Sequence, residues 1–283
     1  MSFEQLAYEL HEIWDEEWFP PEDHERIRAL AKLIPEANET LLDIGCGNGL
    51  FLNYLNAEYG HRFGTLVGID RSEAALAHVQ TDKQLANIDC IPIDDLQFDT
   101  VTCMEVLEHL PVATFSKALA EIARIARRTI IISVPYKEDL KASRCECPTC
   151  FTSFHPDYHM RTFDEYKLRT LFPARSFEIT GTYYLGPQVR RYDYELRARV
   201  RRLLNRTSPA FPSYAMCPVC GFLDKNRLSD DLATRKRGRV VTRVETADET
   251  RRSRIGHLLR SVLTMPPRYR WIAAAYKRIG LGR

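Results

Sequence analysis

From residue 3 to residue 18 apolar side chains recur at helical spacing: Phe3, Leu6, Leu10, Ile13, Trp14 and Trp18, with acids between them. That period predicts an amphipathic helix, ended by Pro20-Pro21. A second helix is predicted over about 23–33. The pattern then shortens. Thr40-Leu41-Leu42-Asp43-Ile44 is a continuous apolar run of the kind that forms a buried strand. A glycine-rich turn follows, and helical spacing resumes from Leu50 to Tyr59. Thr65–Asp70 reads as a second strand ending in an acid, after which Ser72 caps a helix over 72–77. A short strand is predicted near 84–88, a fourth over 98–103, a helix over 114–126 and a fifth strand over 129–134. Strands alternating with helices of this length predict an α/β fold built on a doubly wound parallel sheet.

After Pro135 the regularity breaks. A Cys/His-rich stretch occupies 145–159. Then come a predicted helix over 164–172, a strand over 177–185, a basic helix over 189–204 and a loop over 207–218. The chain ends in an aromatic-basic segment around Tyr269, Trp271 and Tyr276.

Composition narrows the class. The chain has 283 residues, 45% hydrophobic and 28% charged, enough to bury a sizeable core. No apolar run reaches the roughly 18–20 residues that span a bilayer, so no transmembrane segment is expected. The N-terminus lacks a basic start followed by an apolar stretch, so no signal peptide is expected and the location is read as cytoplasmic. Net charge is only +2, yet residues 233–283 hold fourteen Lys/Arg against three Asp/Glu. That tail is either a solvated surface or a contact for nucleic acid, an anionic membrane surface or a phosphorylated substrate. In such a location the eight cysteines are reduced thiols or metal ligands rather than disulfides.

The turn after the first strand carries the sharpest chemistry. Gly45, Gly47 and Gly49 stand in a Gly-x-Gly-x-Gly spacing preceded by Asp43. Glycines let backbone approach a ligand closely, and the following helix N-terminus offers free N–H groups to an anion. A dinucleotide fingerprint would be G-x-G-x-x-G. The spacing here, with its acid, favours a cofactor bearing an amino acid. Asp70 lies at the tip of the next strand, where a carboxylate holds both hydroxyls of a ribose.

These segments resemble a known family. Leu41-Leu42-Asp43-Ile44-Gly45-Cys46-Gly47-Asn48-Gly49 looks like motif I of class I S-adenosylmethionine (SAM)-dependent methyltransferases. Val67-Gly68-Ile69-Asp70-Arg71-Ser72 is similar to their ribose-binding second strand, and Ile91–Asp99 to the run before their fourth. Thr102–Leu110 resembles the exit of that fourth strand, above all in quinone-precursor O-methyltransferases. The likeness covers about residues 38–185. It implies a mostly parallel seven-stranded sheet. It implies too that SAM is held by Asp43, Gly45, Cys46, Gly47, Gly49, Asp70, Arg71, Met104 and Glu105. Asn87 stands where the family's adenine-binding acid usually is, with Asp89 two residues on. Asn87 accepting through its amide oxygen, helped by the Ile88 N–H, is the expected substitute.

Glu105, Glu108 and His109 follow the fourth strand, where a parallel sheet opens its ligand crevice. A helical turn there would put Glu105 and Glu108, or Glu105 and His109, on one face. His109 suits a general base because its ordinary pKa lies near neutrality. In the similar quinone-pathway enzymes acids here hold a divalent cation, so Mg2+ is one reading of this face. His159-Met160-Arg161-Thr162-Phe163 resembles a segment near the acceptor pocket of related methyltransferases, which makes His159 a candidate for the catalytic face.

Cys147-x-x-Cys150 and Cys217-x-x-Cys220 are two knuckles, each with Pro after its first Cys. Four thiolates make a closed tetrahedral zinc site. A rival set joins Cys147 and Cys150 to His155 and His159. Zinc would pin the insertion to the C-terminal segment as a small structural subdomain.

The expected organisation is an N-terminal helical lid over 1–37 and a cofactor-binding core over 38–186 with the Cys/His insertion at 141–160. A helix with the second knuckle fills 187–232, and the basic tail 233–283. The expected function is O-methylation of a small-molecule, glycan or phenolic acceptor. An RNA methyltransferase and a non-catalytic SAM-binding protein are the alternatives.

Overall fold

The computed structural model describes residues 2–15, 19–192, 211–236 and 264–280. In chain order the helices and strands are α1 (Phe3–Tyr8), α2 (Pro21–Ala31), β1 (Thr40–Ile44), α3 (Leu50–Tyr59), β2 (Thr65–Asp70), α4 (Glu73–Leu76), β3 (Asp82–Leu85), β4 (Phe98–Met104), α5 (Val112–Ile125), β5 (Ala126–Pro135), β6 (Cys145–Glu146), β7 (Ser153–Phe154), α6 (Glu165–Arg169), β8 (Phe177–Tyr192), α7 (Lys225–Lys236) and β9 (Thr264–Arg278). No helix among the described residues is long and apolar enough to cross a membrane. The chain divides into two compact units.

The larger unit comprises residues 8–138, 159–186 and 270–283. Its seven-stranded sheet has the order β3-β2-β1-β4-β5-β9-β8. The pairs β3-β2, β2-β1, β1-β4 and β4-β5 are parallel, while β9 runs antiparallel to β5. Stepping from β1 to β4 reverses the strand order, and such a reversal leaves a crevice at the strands' carboxyl ends. One apolar cluster packs α5, through Ala118, Ile122 and Ile125, on Val101, Ile130 and Ile132. A second packs Ile27 and Leu30 of α2 and Phe51, Leu52 and Leu55 of α3 on Leu41 and Ile131. The sheet is therefore covered on both faces.

Three expectations meet a different outcome. The helix expected over 3–18 stops at Tyr8, and a separate 3-10 turn spans His11–Trp14; Trp18 lies outside the described residues. Leu10 adopts an extended backbone that breaks the helix. The end of the expected basic tail is a strand, with Ile132 paired to Ala274 and Pro135 to Trp271. Ile272, Ala273 and Ala274 are fully buried, so this stretch is apolar on both faces and shows no alternation. The basic helix expected over 189–204 begins inside β8 and otherwise falls outside the described residues, as does 237–263 of the tail.

The smaller unit comprises residues 1–7, 139–158 and 187–269. Its apolar cluster is small: Cys145, Cys147, Phe154, Ala215 and Cys217, flanked by Cys150, Tyr158, Phe211 and Phe222.

Candidate functional site

In the larger unit the crevice begins where β1 ends. Asp43 is 2% exposed and accepts a 2.6 Å hydrogen bond from the Thr102 hydroxyl on β4. Burial pushes its carboxyl up to about 7, against the pull of Thr102. Gly45, Gly47 and Gly49 all take left-handed backbone, at φ +72°, +55° and +75°. A Cβ on Gly45 would stand 2.3 Å from Val106, so this position needs glycine for space as well as for its dihedral. The Gly45 and Cys46 N–H groups both donate to the Ile69 carbonyl, at 2.7 and 3.0 Å, locking the turn to β2.

Asp70 closes β2. Its Oδ2 accepts from the Gly47 N–H and its Oδ1 from the Ser72 N–H, each at 2.9 Å. Burial raises its pKa in spite of these bonds. The Arg71 N–H bonds the carboxylate as well, so of its roughly four acceptor sites about one is left open. The strap from Tyr8 to Trp14 covers this corner. The Ser72 hydroxyl donates to the Tyr8 carbonyl at 2.8 Å, Asn48 Nδ2 donates to the Trp14 carbonyl at 2.9 Å, and a Cβ on Gly47 would meet the Trp14 indole at 3.0 Å. The Arg71 guanidinium lies 4.9 Å above the Tyr8 ring. Asn87 is exposed in a tight turn, its carbonyl accepting from the Cys90 N–H at 3.1 Å; Ile88 packs on the core, and Asp89 is half-buried.

β4 delivers Met104 and Glu105. Glu105 adopts φ +56°, and a single 3-10 turn follows over Leu107–His109. The shared helical face expected for Glu105 with Glu108 or His109 therefore does not form: the left-handed residue breaks the helical path before it starts. Glu105 instead accepts from the Ser133 hydroxyl at 3.0 Å and stands 3.7 Å from Arg26 Nη1. Burial raises the Glu105 pKa, opposed by Arg26.

The sequence pattern did not mark Arg26. It is 8% exposed, ion-paired with Asp23 at 3.3 Å, and stacked 4.9 Å from the Trp271 ring. Its Nε and Nη1 are buried without a hydrogen-bond partner. A buried guanidinium left short of acceptors is costly unless an anion completes it. In sequence it is one basic residue on an ordinary amphipathic helix; only the packing of α2 turns it toward Glu105.

Glu108 is 1% exposed and both of its carboxyl oxygens lack a hydrogen-bond partner. Burial, then the neighbouring Glu105, holds its pKa well above the carboxylate range. The Nε2 atoms of His109 and His159 stand 3.9 and 4.0 Å from its Oε1, beyond hydrogen-bond reach. The two imidazoles meet edge to face with centroids 4.6 Å apart. The structure thus brings His109, Glu108 and His159 together, with Glu105 on the Arg26 side of the same strand end.

Residues 42–132 match a family described as a methyltransferase domain. Over those residues the chain carries a methyltransferase domain. Over 124 residues it is 35% identical to a ubiquinone biosynthesis O-methyltransferase of Pseudomonas entomophila, a match covering 39% of this chain and 50% of that protein. The chain spans about half the length of the curated relatives it matches. Among solved structures, it is similar to a chain of the complex between the Haloferax volcanii Trm112 methyltransferase activator and a methyltransferase. That likeness has TM-score 0.52 and 18% identity, covering 97% of this chain and 96% of that one. A Bacillus halodurans methyltransferase structure matches with TM-score 0.50 and 13% identity, over 89% and 97% of the two chains. At these identities the likeness is one of fold.

The smaller unit holds a second constellation. The Sγ atoms of Cys147, Cys150, Cys217 and Cys220 all lie within 4.8 Å of one another, with Cys147–Cys220 at 3.6 Å and Cys150–Cys217 at 3.5 Å. Such separations are far from the roughly 2.05 Å of a disulfide. They are close to the roughly 3.8 Å edge of a tetrahedron with zinc–sulfur bonds of about 2.3 Å. Both knuckles use the same backbone device. Phe151 N–H donates to the Cys147 carbonyl at 3.0 Å, and Gly221 N–H to the Cys217 carbonyl at 2.9 Å. Both residues are left-handed, at φ +59° and +70°. The Cys150 thiol is lowered to about 6, chiefly by its hydrogen bond with the Thr152 hydroxyl. The rival set with two imidazoles is not assembled: His155 takes the Asp157 N–H at 3.2 Å within this unit, and His159 bonds Glu138 in the other.

Proposed function

We propose that this chain transfers the methyl group of SAM to an oxygen of a small-molecule, glycan or phenolic acceptor. SAM would supply a methyl already activated on a sulfonium. The residues fit that cofactor. Arg26 offers a carboxylate buried nitrogens that lack a hydrogen bond, Asp43 an acceptor to an ammonium group, Asp70 a spare lone pair to a ribose hydroxyl, and Gly45–Gly49 a bare backbone to lie against. In-line methyl transfer then asks the protein chiefly to align and desolvate the reactants. Burial of Glu108 and the covering strap serve that end, and the acidic-imidazole face supplies proton acceptance.

One observation carries this reading: a buried arginine with orphaned nitrogens faces the end of β4, next to a glycine turn and an aspartate-tipped strand. Calorimetric titration with SAM and with its demethylated product tests it. Micromolar binding of both is expected, and no heat from either would overturn the reading. Labelled SAM offered to phenol, glycan and RNA pools decides the acceptor; label entering RNA overturns the small-molecule assignment.

We infer as well that Cys147, Cys150, Cys217 and Cys220 hold a structural zinc ion. The convergence of four sulfurs in a unit with so small an apolar cluster supports it.

A further inference from the structure

The chain leaves the larger unit after Glu138 and re-enters it at His159. These two residues meet: a Glu138 carboxylate oxygen binds His159 Nδ1. The pair is well sheltered, with the His159 side chain 10% and the Glu138 side chain 15% exposed. A carboxylate only accepts, so in the neutral imidazole this contact puts the proton on Nδ1 and leaves Nε2 unprotonated. Nε2 faces Glu108 at 4.0 Å, and Glu108 is the fully buried carboxyl whose oxygens have no hydrogen-bond partner. His109 approaches the same oxygen, its Nε2 at 3.9 Å, with its own Nδ1 in a 3.0 Å hydrogen bond with the Tyr8 hydroxyl. Each imidazole is thus held by its outer nitrogen, and each inner nitrogen is aimed at one orphaned carboxyl.

We propose that Glu138 is a positioning residue that fixes the tautomer of His159, so that Nε2 of His159 is the general base for a hydroxyl acceptor whose second polar group docks on Glu108. This rests on the methyl-transfer reading above. The step balances: the acceptor O–H bond breaks, its proton passes to His159 Nε2, the oxygen bonds the methyl carbon, and the electron pair of the broken S–CH3 bond stays on a now neutral sulfur. The imidazolium formed is stabilised by the Glu138 carboxylate, the same division of labour by which an acid orients and supports a catalytic histidine elsewhere. Within the larger unit the titratable groups that stand against or act on His159 are Glu108, His109 and Glu105 around the end of β4 and Glu138 at Nδ1.

The bland rival is a staple: Glu138 and His159 would merely tie the neck of the 139–158 excursion. Imidazole tautomers separate the two. The full chain is labelled with 15N-histidine and its long-range 1H–15N correlations are read at about pH 8, above the ordinary histidine range; an H159Q spectrum assigns the signal. The wild type should show His159 protonated at Nδ1 alone. E138A, which removes the acceptor, should raise the Nε2–H form several-fold, and E138D should keep the wild-type pattern. A wild-type His159 protonated at Nε2 alone overturns the proposal, and this needs no variant to fold. So does an E138A protein of intact sheet whose His159 pattern is unchanged. Titration of the same samples with S-adenosylhomocysteine keeps the two levels apart. Equal affinity in wild type and E138A, within about twofold, supports a role confined to the acceptor side. Absence of binding in the wild type sinks the methyl-transfer reading, and with it the role of base, whatever the tautomer.

Discussion

The glycine turn after β1 and the two cysteine knuckles are both tight left-handed turns, yet they solve opposite problems. At Gly45–Gly49 the backbone is stripped of side chains, where the proposed cofactor would lie on it, and two apolar clusters covering the sheet hold the turn in place. At Phe151 and Gly221 the turn aims N–H groups back at the first cysteine of each knuckle, and only a handful of apolar side chains stand behind it. The first region owes its shape to the core and, in the proposed site, would lend it to a ligand. The second has too little core to hold a shape, and its ligand would have to supply one. A turn's dihedrals alone do not reveal which of these it is; the size of the apolar cluster behind it does.

Removing metal is the most severe way to test that difference. Chelation, or Cys217→Ser, should collapse the smaller unit, since structural zinc in small domains contributes on the order of 10 kcal/mol of folding free energy. Hydrogen exchange should show protection lost at 145–154 and 215–222 while β1, β4 and β5 stay protected. Survival of the knuckle amides after complete metal removal would end the contrast.

Gly47→Val is the counterpart on the sheet. A side chain there takes φ +55° and meets Trp14 at 3.0 Å. SAM affinity should fall at least about a hundredfold, roughly 2.7 kcal/mol, with a circular dichroism spectrum unchanged. Retained affinity would move the cofactor elsewhere.

An effect of similar size, spread over a range of pH, belongs to Asp43, whose folded pKa is raised to about 7 from 3.8. Below pH 3.8 both states carry the proton and the group is neutral to stability. Between pH 3.8 and about 7 the folded state holds a proton the unfolded state has lost, so stability falls as pH rises, by up to about 4 kcal/mol in all. Asp43→Asn should flatten that limb in unfolding curves recorded from pH 5 to 8, and a wild type with no such slope would refute the burial argument.

The mildest change sharpens the comparison within the knuckles. Phe151 takes a left-handed backbone that its twin position fills with glycine. Phe151→Gly should stabilise the smaller unit by up to about 1 kcal/mol in its denaturation midpoint, the steric relief partly offset by a more flexible unfolded chain.

Much of this was legible from sequence because it is local. The strand–glycine–helix unit, Asp70 at the tip of β2 and the pairing of the two Cys-x-x-Cys knuckles each fall within a few residues, or repeat a spacing. Arg26 and Glu138 were not legible. Neither belongs to a motif, and their partners Glu105 and His159 lie 79 and 21 residues away. β9 escaped for another reason: a strand buried on both faces has no alternation, and its central Ala273-Ala274-Ala275 reads like tail. The helix broken at Leu10 kept its apolar spacing, but the 3-10 turn that carries Trp14 followed the shape of the glycine corner it covers.

The pairing of Pro135 with Trp271 has a consequence for how the protein is made. When β5 leaves the ribosome its free edge is a row of buried-type residues with no neighbour, and the strand that will cap it is still more than 130 residues from being synthesised. At about 5–20 residues per second that interval lasts roughly seven to twenty-seven seconds. Throughout it the nascent sheet presents an open apolar edge, the feature most prone to adhere to another chain, so holding that edge shielded until the closing strand arrives is the vulnerable moment in this protein's biogenesis.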